Sequence, residues 1–167
     1  MSTHDSVDVV FERYYPGVIG EIVRVHATYY HEHWGFDISF ETQVGRELSD
    51  FMRDFREDLD ILIAVLANGR FAGAIAIDGH SQNAGRARLR WFIVEPEFQG
   101  QGLGHELLAR ALEFSRQADF RKVLLWTFQG LESARSLYEQ AGFRLTEQHR
   151  ATQWGSVIVE QKFELDL

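Results

Sequence analysis

Three glycines at alternate positions lie where a predicted strand ends and a predicted helix begins. Gly100, Gly102 and Gly104 follow the apolar run Leu89–Val94 and the break at Pro96. Glycine lets the backbone approach a ligand closely and adopt positive φ. The first turn of a helix adds unpaired N–H groups at the positive end of the helix dipole. Together these features predict a cradle for a phosphate or pyrophosphate group.

The spacing of the glycines excludes two common nucleotide-binding loops. A Rossmann motif needs Gly or Ala three places after a G-x-G pair, and the two possible positions hold His105 and Leu107. A P-loop needs Gly followed by Lys and then Ser or Thr, a tripeptide that the sequence does not contain. A glycine-rich turn without a ligand is the alternative that this short pattern alone leaves open.

The glycine segment instead resembles the acetyl-CoA-binding motif of GNAT N-acetyltransferases, Gln/Arg-x-x-Gly-x-Gly/Ala, through Gln99, Gly102 and Gly104. Further along, Ser133–Phe143 resembles the second signature of that family, Ala-x-x-Leu-Tyr-x-x-x-Gly-Phe. Two motifs in the expected order identify the sequence as a member of the GNAT superfamily from about Val7 to Phe163. It looks most like acetyltransferase domains fused to MarR-type regulators, although it contains no winged-helix segment.

The resemblance implies a role for each matching position. Backbone groups of the strand before the glycines would bind the thioester carbonyl and the pantetheine arm, and backbone N–H groups of the loop would hold the pyrophosphate. Tyr138 would donate a proton to the departing CoA thiolate. The implied cofactor-binding residues are Phe92, Ile93 and Val94 in the strand, and Gln99, Gly100, Gln101, Gly102, Leu103 and Gly104 in the loop.

Two positions depart from the family pattern. Leu131 stands where members often have Asn, three residues before the Ala of the second signature, so any contact made by that Asn is absent. The best-known members place a Glu general base at the position held here by Arg88, and a guanidinium cannot accept a proton. Deprotonation of the amine must then use a histidine or tyrosine acting through water, or the solvent.

Polar-tipped aromatic residues are the candidates for the acceptor side. They extend the apolar stripe of the first predicted helix, and ordinary core packing is the alternative explanation. In GNAT proteins the first two helices and their loop form the acceptor wall, so the resemblance favours a pocket. Trp154, in a predicted loop over His149–Gly155, is a further candidate. The helical candidates are His26, Tyr29, Tyr30 and Trp34.

Arginines alternate along the strand that precedes the glycine motif. Residues two apart in a strand share a face, so Arg86, Arg88, Arg90 and Phe92 are predicted to point the same way. Arg88 and Arg90 would then face the acceptor and suit a planar carboxylate, which a guanidinium binds by two parallel hydrogen bonds. Pairing of these arginines with surface Asp or Glu is the competing explanation.

Composition limits the classes of partner and chemistry. The 167 residues include 17 Lys and Arg against 25 Asp and Glu, a net charge of −8 that disfavours nucleic acid and anionic membranes. The absence of cysteine excludes disulfides, Cys-ligated zinc and a thiol nucleophile. His31-Glu32-His33 lacks the spacing of a helical metal site, so no metal is expected. No apolar run could span a bilayer and Met1–Asp8 is not a signal peptide, so a cytoplasmic protein is expected.

Periodicity predicts strands before and between helices, in a single domain over residues 1–167 whose first six residues are flexible. The resemblance implies the GNAT fold, an α/β class with a mostly antiparallel sheet, a splayed pair of parallel strands and helices on both faces. Helices are expected over Gly17–Trp34, Phe40–Phe55, Gly102–Ala118 and Leu131–Ala141, and strands near Val7–Phe11 and over Ile61–Leu66, Phe71–Ile77, Arg88–Val94, Lys122–Thr127, Phe143–Glu147 and Val157–Leu165.

The expected function is transfer of the acetyl group of acetyl-CoA to a primary amine of a small molecule or amino acid. Without a cysteine, the amine would attack the thioester directly in a ternary complex, and a homodimer is possible. One alternative is a non-catalytic acetyl-CoA sensor or interaction module, against which Tyr138 argues because a binder needs no proton donor. A protein or peptide N-acetyltransferase is the other alternative.

Overall fold

The computed structural model describes residues 6–82 and 85–167, so most of the segment predicted to be flexible lies outside the described residues. The described residues form seven strands, four long helices and a 3-10 turn at Pro96–Phe98. In chain order the elements are β1 (Val9–Glu12), α1 (Val18–Trp34), α2 (Ile38–Arg53), β2 (Ile61–Ala67), β3 (Arg70–Asp78), β4 (Arg86–Val94), α3 (Leu103–Gln117), β5 (Lys122–Phe128), α4 (Glu132–Ala141), β6 (Arg144–Gln153) and β7 (Ser156–Asp166).

All seven strands belong to one sheet with the order β1-β2-β3-β4-β5-β7-β6. Neighbouring strands are antiparallel except β4 and β5, which run parallel. A parallel connection needs a long crossover, and the segment containing α3 supplies it. The mixed sheet and its parallel pair confirm the predicted fold class.

Each face of the sheet is covered by one pair of helices. The apolar stripes of α1 and α2, including the fully buried Ile22 and Leu48, pack on one face. The stripe of α3, including Leu107 and Ala111, packs on the other face together with Tyr138 of α4. Apolar residues recur at steps of three and four on these helices, which places them on one side. The two faces are called below the α1–α2 face and the α3–α4 face.

Two hairpin turns test the turn predictions. Asn68 and Gly69 join β2 to β3 with φ of +50° and +78°, as the Asn-Gly signal predicts. The predicted loop over His149–Gly155 is wrong, because β6 continues to Gln153 and only Trp154 and Gly155 form the turn. Strand β6 is an edge strand with almost wholly exposed side chains, so its sequence carries no alternation of apolar and polar residues.

Candidate active site

The parallel strands β4 and β5 separate after only three residue pairs. The last pair joins Arg88 to Leu124, and beyond it β4 is hydrogen-bonded only to β3 while β5 is hydrogen-bonded to β7. The opening leads into a cleft of about 1160 Å³. Every candidate site residue except Gln101 lines this cleft, namely His26, Tyr29, Tyr30, Trp34, Arg88, Arg90, Phe92, Ile93, Val94, Gln99, Gly100, Gly102, Leu103, Gly104, Tyr138 and Trp154.

Strand β4 contains a β-bulge beside the opening. Its register with β3 shifts so that Trp91 and Phe92 together oppose the single residue Ile75. Trp91 has a φ of +48°, a left-handed conformation that is rare for a bulky side chain. A bulge breaks the ladder locally and re-aims the side chains that follow it. The strained residue therefore lies at the point where the strand edge becomes free.

The bulge overturns the prediction that Phe92 shares a face with Arg88 and Arg90. Trp91 packs on the α1–α2 face, whereas Phe92 packs on the α3–α4 face with Leu89. Simple alternation would put Leu89 and Phe92 on opposite faces, and the inserted residue reverses that pattern. The outcome is that the arginines face α2 while Phe92 faces α4.

The glycine loop ends in the first turn of α3. Gly102 is the N-cap residue with a φ of +81°, and Gly100 has a φ of +78°. A Cβ atom on either would meet no atom within 4 Å, so the space in front of the loop is open. The positive φ, rather than crowding, is what favours glycine at these two positions. No side chain among the described residues caps this helix start. Its first N–H groups can therefore bind an anion.

One side-chain hydrogen bond holds this loop against β4, and a glycine lets the following helix lie close to α4. The Gln99 side-chain amide donates a hydrogen bond to the Val94 carbonyl oxygen at 3.1 Å. A Cβ on Gly104 would lie 3.2 Å from Leu137 Cδ1, so the third glycine allows α3 to approach α4 closely. The loop is thereby fixed to the same strand whose free edge borders the cleft.

Tyr138 reaches the cleft from α4 through a packed aromatic cluster. Its residue is 5% exposed, and its ring centroid lies 6.0 Å from Phe92, 5.7 Å from Phe143 and 6.1 Å from Phe163. Burial raises the pKa of the phenol well above its ordinary value, and the nearby phenol of Tyr30 raises it further. Tyr138 consequently keeps its proton at neutral pH and can donate it into the cleft.

Aromatic residues of α1 and the β6–β7 turn form the opposite wall. Tyr29 and Tyr30 pack edge to face at 5.0 Å between centroids, and Tyr30 stacks on Phe36 at 5.8 Å. The Trp154 ring lies 5.0 Å from Phe36, and its Nε1 donates a hydrogen bond to Gln43 Oε1 at 2.9 Å. These residues both pack together and line the cleft, so the two explanations given for the sequence pattern coexist.

His26 is a buried neutral histidine in the same wall. Its Nδ1–H donates a hydrogen bond to the Ile22 carbonyl oxygen at 2.8 Å, because a carbonyl can only accept. Burial lowers the pKa of His26 to about 4. The imidazole is therefore uncharged at neutral pH and adds no positive charge to the acceptor side.

The two arginines that face α2 have different surroundings. Arg90 donates to Glu47 Oε2 at 2.5 Å, lies 3.5 Å from Asp78 Oδ2 and places its guanidinium 4.2 Å from the Trp91 ring centroid. Arg88 has no ion pair or side-chain hydrogen bond within residues 6–82 and 85–167, and its Nε is buried without a partner. Glu47 and Asp78 thus contact Arg90 directly, whereas they attract Arg88 only from a longer distance.

The structure adds polar residues that sequence reasoning missed. Glu47 and Gln43 lie one turn apart on α2, where the gap of four residues was a usable signal. His149 Nε2 lies 2.7 Å from Glu160 Oε2, a cross-strand pair of β6 and β7. All four residues line the cleft. The pair was missed because His149 was predicted to lie in a loop rather than a strand.

Two further groups of titratable side chains have the residue types of metal ligands. The side chains of Asp60, Asp78 and His80 come within 4.8 Å of one another, but Asp60 is already bonded to backbone N–H groups and to His80 Nδ1. The His31-Glu32-His33 run lies exposed at the end of α1, and His33 borders the cleft. Within the described part of the chain, no helix has both the length and the apolar character needed to cross a membrane.

Comparison with known proteins places these features in a family. Residues 23–143 match the family model described as the acetyltransferase (GNAT) family. Human N-acetyltransferase 8B is 30% identical over 86 residues, which are 52% of this chain and 38% of that protein. An uncharacterized N-acetyltransferase of Schizosaccharomyces pombe is 29% identical over 119 residues, 71% of this chain and 72% of that protein. The chain thus matches about two fifths of the human protein's length.

Solved structures share the fold over nearly the whole chain. YncA from Salmonella typhimurium, solved with its cofactor acetyl-CoA, superimposes with a TM-score of 0.75 at 17% identity and covers 95% of this chain and 94% of its own. A GNAT acetyltransferase from Staphylococcus aureus gives a TM-score of 0.77 at 14% identity, with 96% and 99% covered. At such identities the similarity concerns the fold alone.

Proposed function

The chain belongs to the acetyltransferase (GNAT) family, and on that premise we propose that it transfers the acetyl group of acetyl-CoA to a primary amine. The observation that carries the proposal is one continuous cleft with an anion-binding helix start at one end and an aromatic, charged wall at the other. A thioester substrate and an amine can meet there at the free edge of β4. Residues 1–167 would act as a single acetyltransferase domain.

Acetyl-CoA would bind along the glycine loop and the free strand edge. The N–H groups at the start of α3 suit its pyrophosphate, and local backbone donors can hold this anion although the chain carries a net charge of −8. Backbone groups of Phe92, Ile93 and Val94 that face the gap have no β5 partner, so they can pair with the pantetheine amides. Backbone polarisation of the thioester carbonyl would stabilise the tetrahedral intermediate.

Tyr138 would protonate the leaving thiolate as the carbon–sulfur bond breaks. A phenol is protonated at neutral pH, so the proton is present before the reaction. The packed aromatic neighbours fix the ring, so the hydroxyl is aimed without an entropy cost at the moment of transfer. A proton donor at this point favours catalysis over a role in sensing acetyl-CoA alone.

His149 would accept the proton of the attacking amine through water. Glu160 Oε2 lies 2.7 Å from His149 Nε2, so Nδ1 is the ring nitrogen that would take up the proton. The His149 side chain is half exposed, so it can pass the proton to solvent. The His149–Glu160 pair would then act as the general base, the role that a Glu has in the best-known family members and that Arg88 cannot take.

A thiol-release assay tests the proposal. Acetyl-CoA is offered with a panel of amines, amino acids and lysine peptides, and mass spectrometry identifies the acetylated product. We expect CoA release that depends on an amine of small size. Tight binding of acetyl-CoA without any product would favour the sensor, and a preference for peptides would favour the protein acetyltransferase. The resemblance to acetyltransferase domains fused to MarR-type regulators belongs to the same proposal.

A further inference from the structure

Arg88 is a positively charged side chain of the cleft that makes no ion pair and no side-chain hydrogen bond within the described residues. Its Nε is buried and, within the described ranges, has neither a hydrogen-bond acceptor nor an ion-pair partner. Buried polar groups in native proteins are almost always satisfied, and an exception calls for an explanation such as a missing ligand. The cost of a missing partner is higher when the group is charged, and the Arg88 side chain is partly withdrawn from water.

The neighbouring carboxylates form their ion pairs with Arg90 and not with Arg88. Glu47 and Asp78 both contact the Arg90 guanidinium, at 2.5 Å and 3.5 Å. Burial and the adjacent charge of Arg90 lower the pKa of Arg88 to about 10, against the weaker opposing attraction of Glu47 and Asp78, and Arg88 stays charged at neutral pH. Arg88 is therefore a positive charge in the cleft whose nearest carboxylates are in contact with Arg90.

The position of Arg88 places this cation on the acceptor side. It pairs with Leu124 at the last rung before β4 and β5 diverge, and Ala87 and Leu89 on either side of it face α3. Its own side chain therefore lies on the α1–α2 face. The CoA-binding loop begins beyond the far end of β4, at Gln99, so a ligand group at Arg88 would belong to the amine substrate.

Resting on the proposed function, we propose that the acceptor carries a carboxylate close to its amine and that Arg88 binds this carboxylate. A planar guanidinium matches a carboxylate with two parallel hydrogen bonds. The substrate class is then a free amino acid or a similar small zwitterion. The sequence predicted that Arg88 and Arg90 both bind the carboxylate. The structure leaves this role to Arg88, because Glu47 and Asp78 already contact Arg90.

The test compares the twenty amino acids with their α-amides, by kcat/KM for acetylation and by calorimetric binding of the corresponding N-acetyl products. The proteins are the wild type, Arg88→Gln, Arg88→Lys and the control Arg86→Gln, which changes an exposed arginine of the same strand outside the cleft. Hydrogen bonds to charged groups contribute about 1.5–3 kcal/mol, so the wild type should prefer the acid about 10- to 150-fold.

Arg88→Gln should abolish this preference, Arg88→Lys should keep part of it, and Arg86→Gln should leave it unchanged. The Arg88→Gln protein should not be less stable than the wild type, because it loses an unpaired buried charge. Equal use of acids and amides by the wild type, or a preference that survives Arg88→Gln, would overturn the inference while acetyl transfer stands. If nothing is acetylated, the proposed function fails, and the binding of acid and amide products still decides the role of Arg88.

Discussion

The ring of Tyr138 lies 6.0 Å from the ring of Phe92, centroid to centroid, and this contact joins helix α4 to the bulged segment of strand β4. The contact depends on the bulge, because an unbroken strand would turn Phe92 toward the opposite face. The bulge thus lies in the segment whose free edge is proposed to bind the thioester, and it brings the proposed proton donor beside that edge.

Removal of the Tyr138 hydroxyl should slow turnover without loosening acetyl-CoA binding. Tyr138→Phe keeps the ring that packs against Phe143 and Phe163. General acids contribute about 10²- to 10⁴-fold to rate, so kcat should fall within that range while the KM for acetyl-CoA changes little. Steady-state thiol release measures both constants, and a turnover equal to that of the wild type would mean that water protonates the thiolate.

A side chain at Gly102 should weaken acetyl-CoA binding at the helix start. Gly102→Val forces a β-branched residue into a φ of +81° and displaces the N–H groups that would hold the pyrophosphate, so the KM for acetyl-CoA should rise at least tenfold.

Gly17→Val is the matched control for that substitution. Gly17 is likewise an N-cap residue with positive φ and open space around it, but it starts α1 and does not line the cleft. The two variants should share a similar backbone strain while only Gly102→Val changes the KM. If both variants raised the KM for acetyl-CoA equally, backbone strain would explain the weaker binding, and the glycine loop would lose its support as the pyrophosphate site.

Loss of the His149–Glu160 pair should slow the reaction most at low pH. His149→Gln removes the proposed proton acceptor, and kcat/KM for the amine should fall about 10²-fold at neutral pH. The deficit should shrink as pH rises, because a growing fraction of the amine is already deprotonated in solution. A pH–rate profile of the variant against the wild type checks this. A deficit of constant size at every pH would assign His149 to binding instead.

His26 should make folding stability fall in mildly acidic solution. Its pKa is lowered to about 4 in the folded protein, against about 6.5 for an unperturbed histidine, so the unfolded chain binds the proton more readily. The lowered pKa does not change the free energy of unfolding above pH 6.5. It reduces that free energy by up to about 3 kcal/mol as pH falls from 6.5 to 4.

Urea unfolding at pH 7 and pH 5 measures that loss. The variant His26→Gln cannot take up the proton, so its stability should fall by about 2 kcal/mol less than that of the wild type over this interval. Exposed carboxylates titrate in both proteins and cancel in the comparison. An identical loss in the two proteins would show that protonation of His26 does not drive acid unfolding.

The sequence was sufficient for the fold class and for most cleft-lining residues, because the glycine loop, the Leu-Tyr signature and the apolar stripes are local patterns. It failed for Phe92, since a bulge is created by pairing with β3 and is invisible in the alternation of β4 alone. It also failed to separate Arg88 from Arg90, because Glu47 reaches Arg90 across 43 positions of sequence. Long-range contacts, rather than local propensity, decided these points.

The most direct test of acetyl transfer in a shared cleft is a single-turnover reaction with isotope-labelled acetyl-CoA, an excess of protein and an amino acid acceptor. The label is followed in acetyl-CoA, in protein and in the amine. We predict that it passes from acetyl-CoA to the amine in step with CoA release and that no labelled protein accumulates. Label that stays in acetyl-CoA bound to the protein, or that passes first to a protein side chain, would contradict direct transfer.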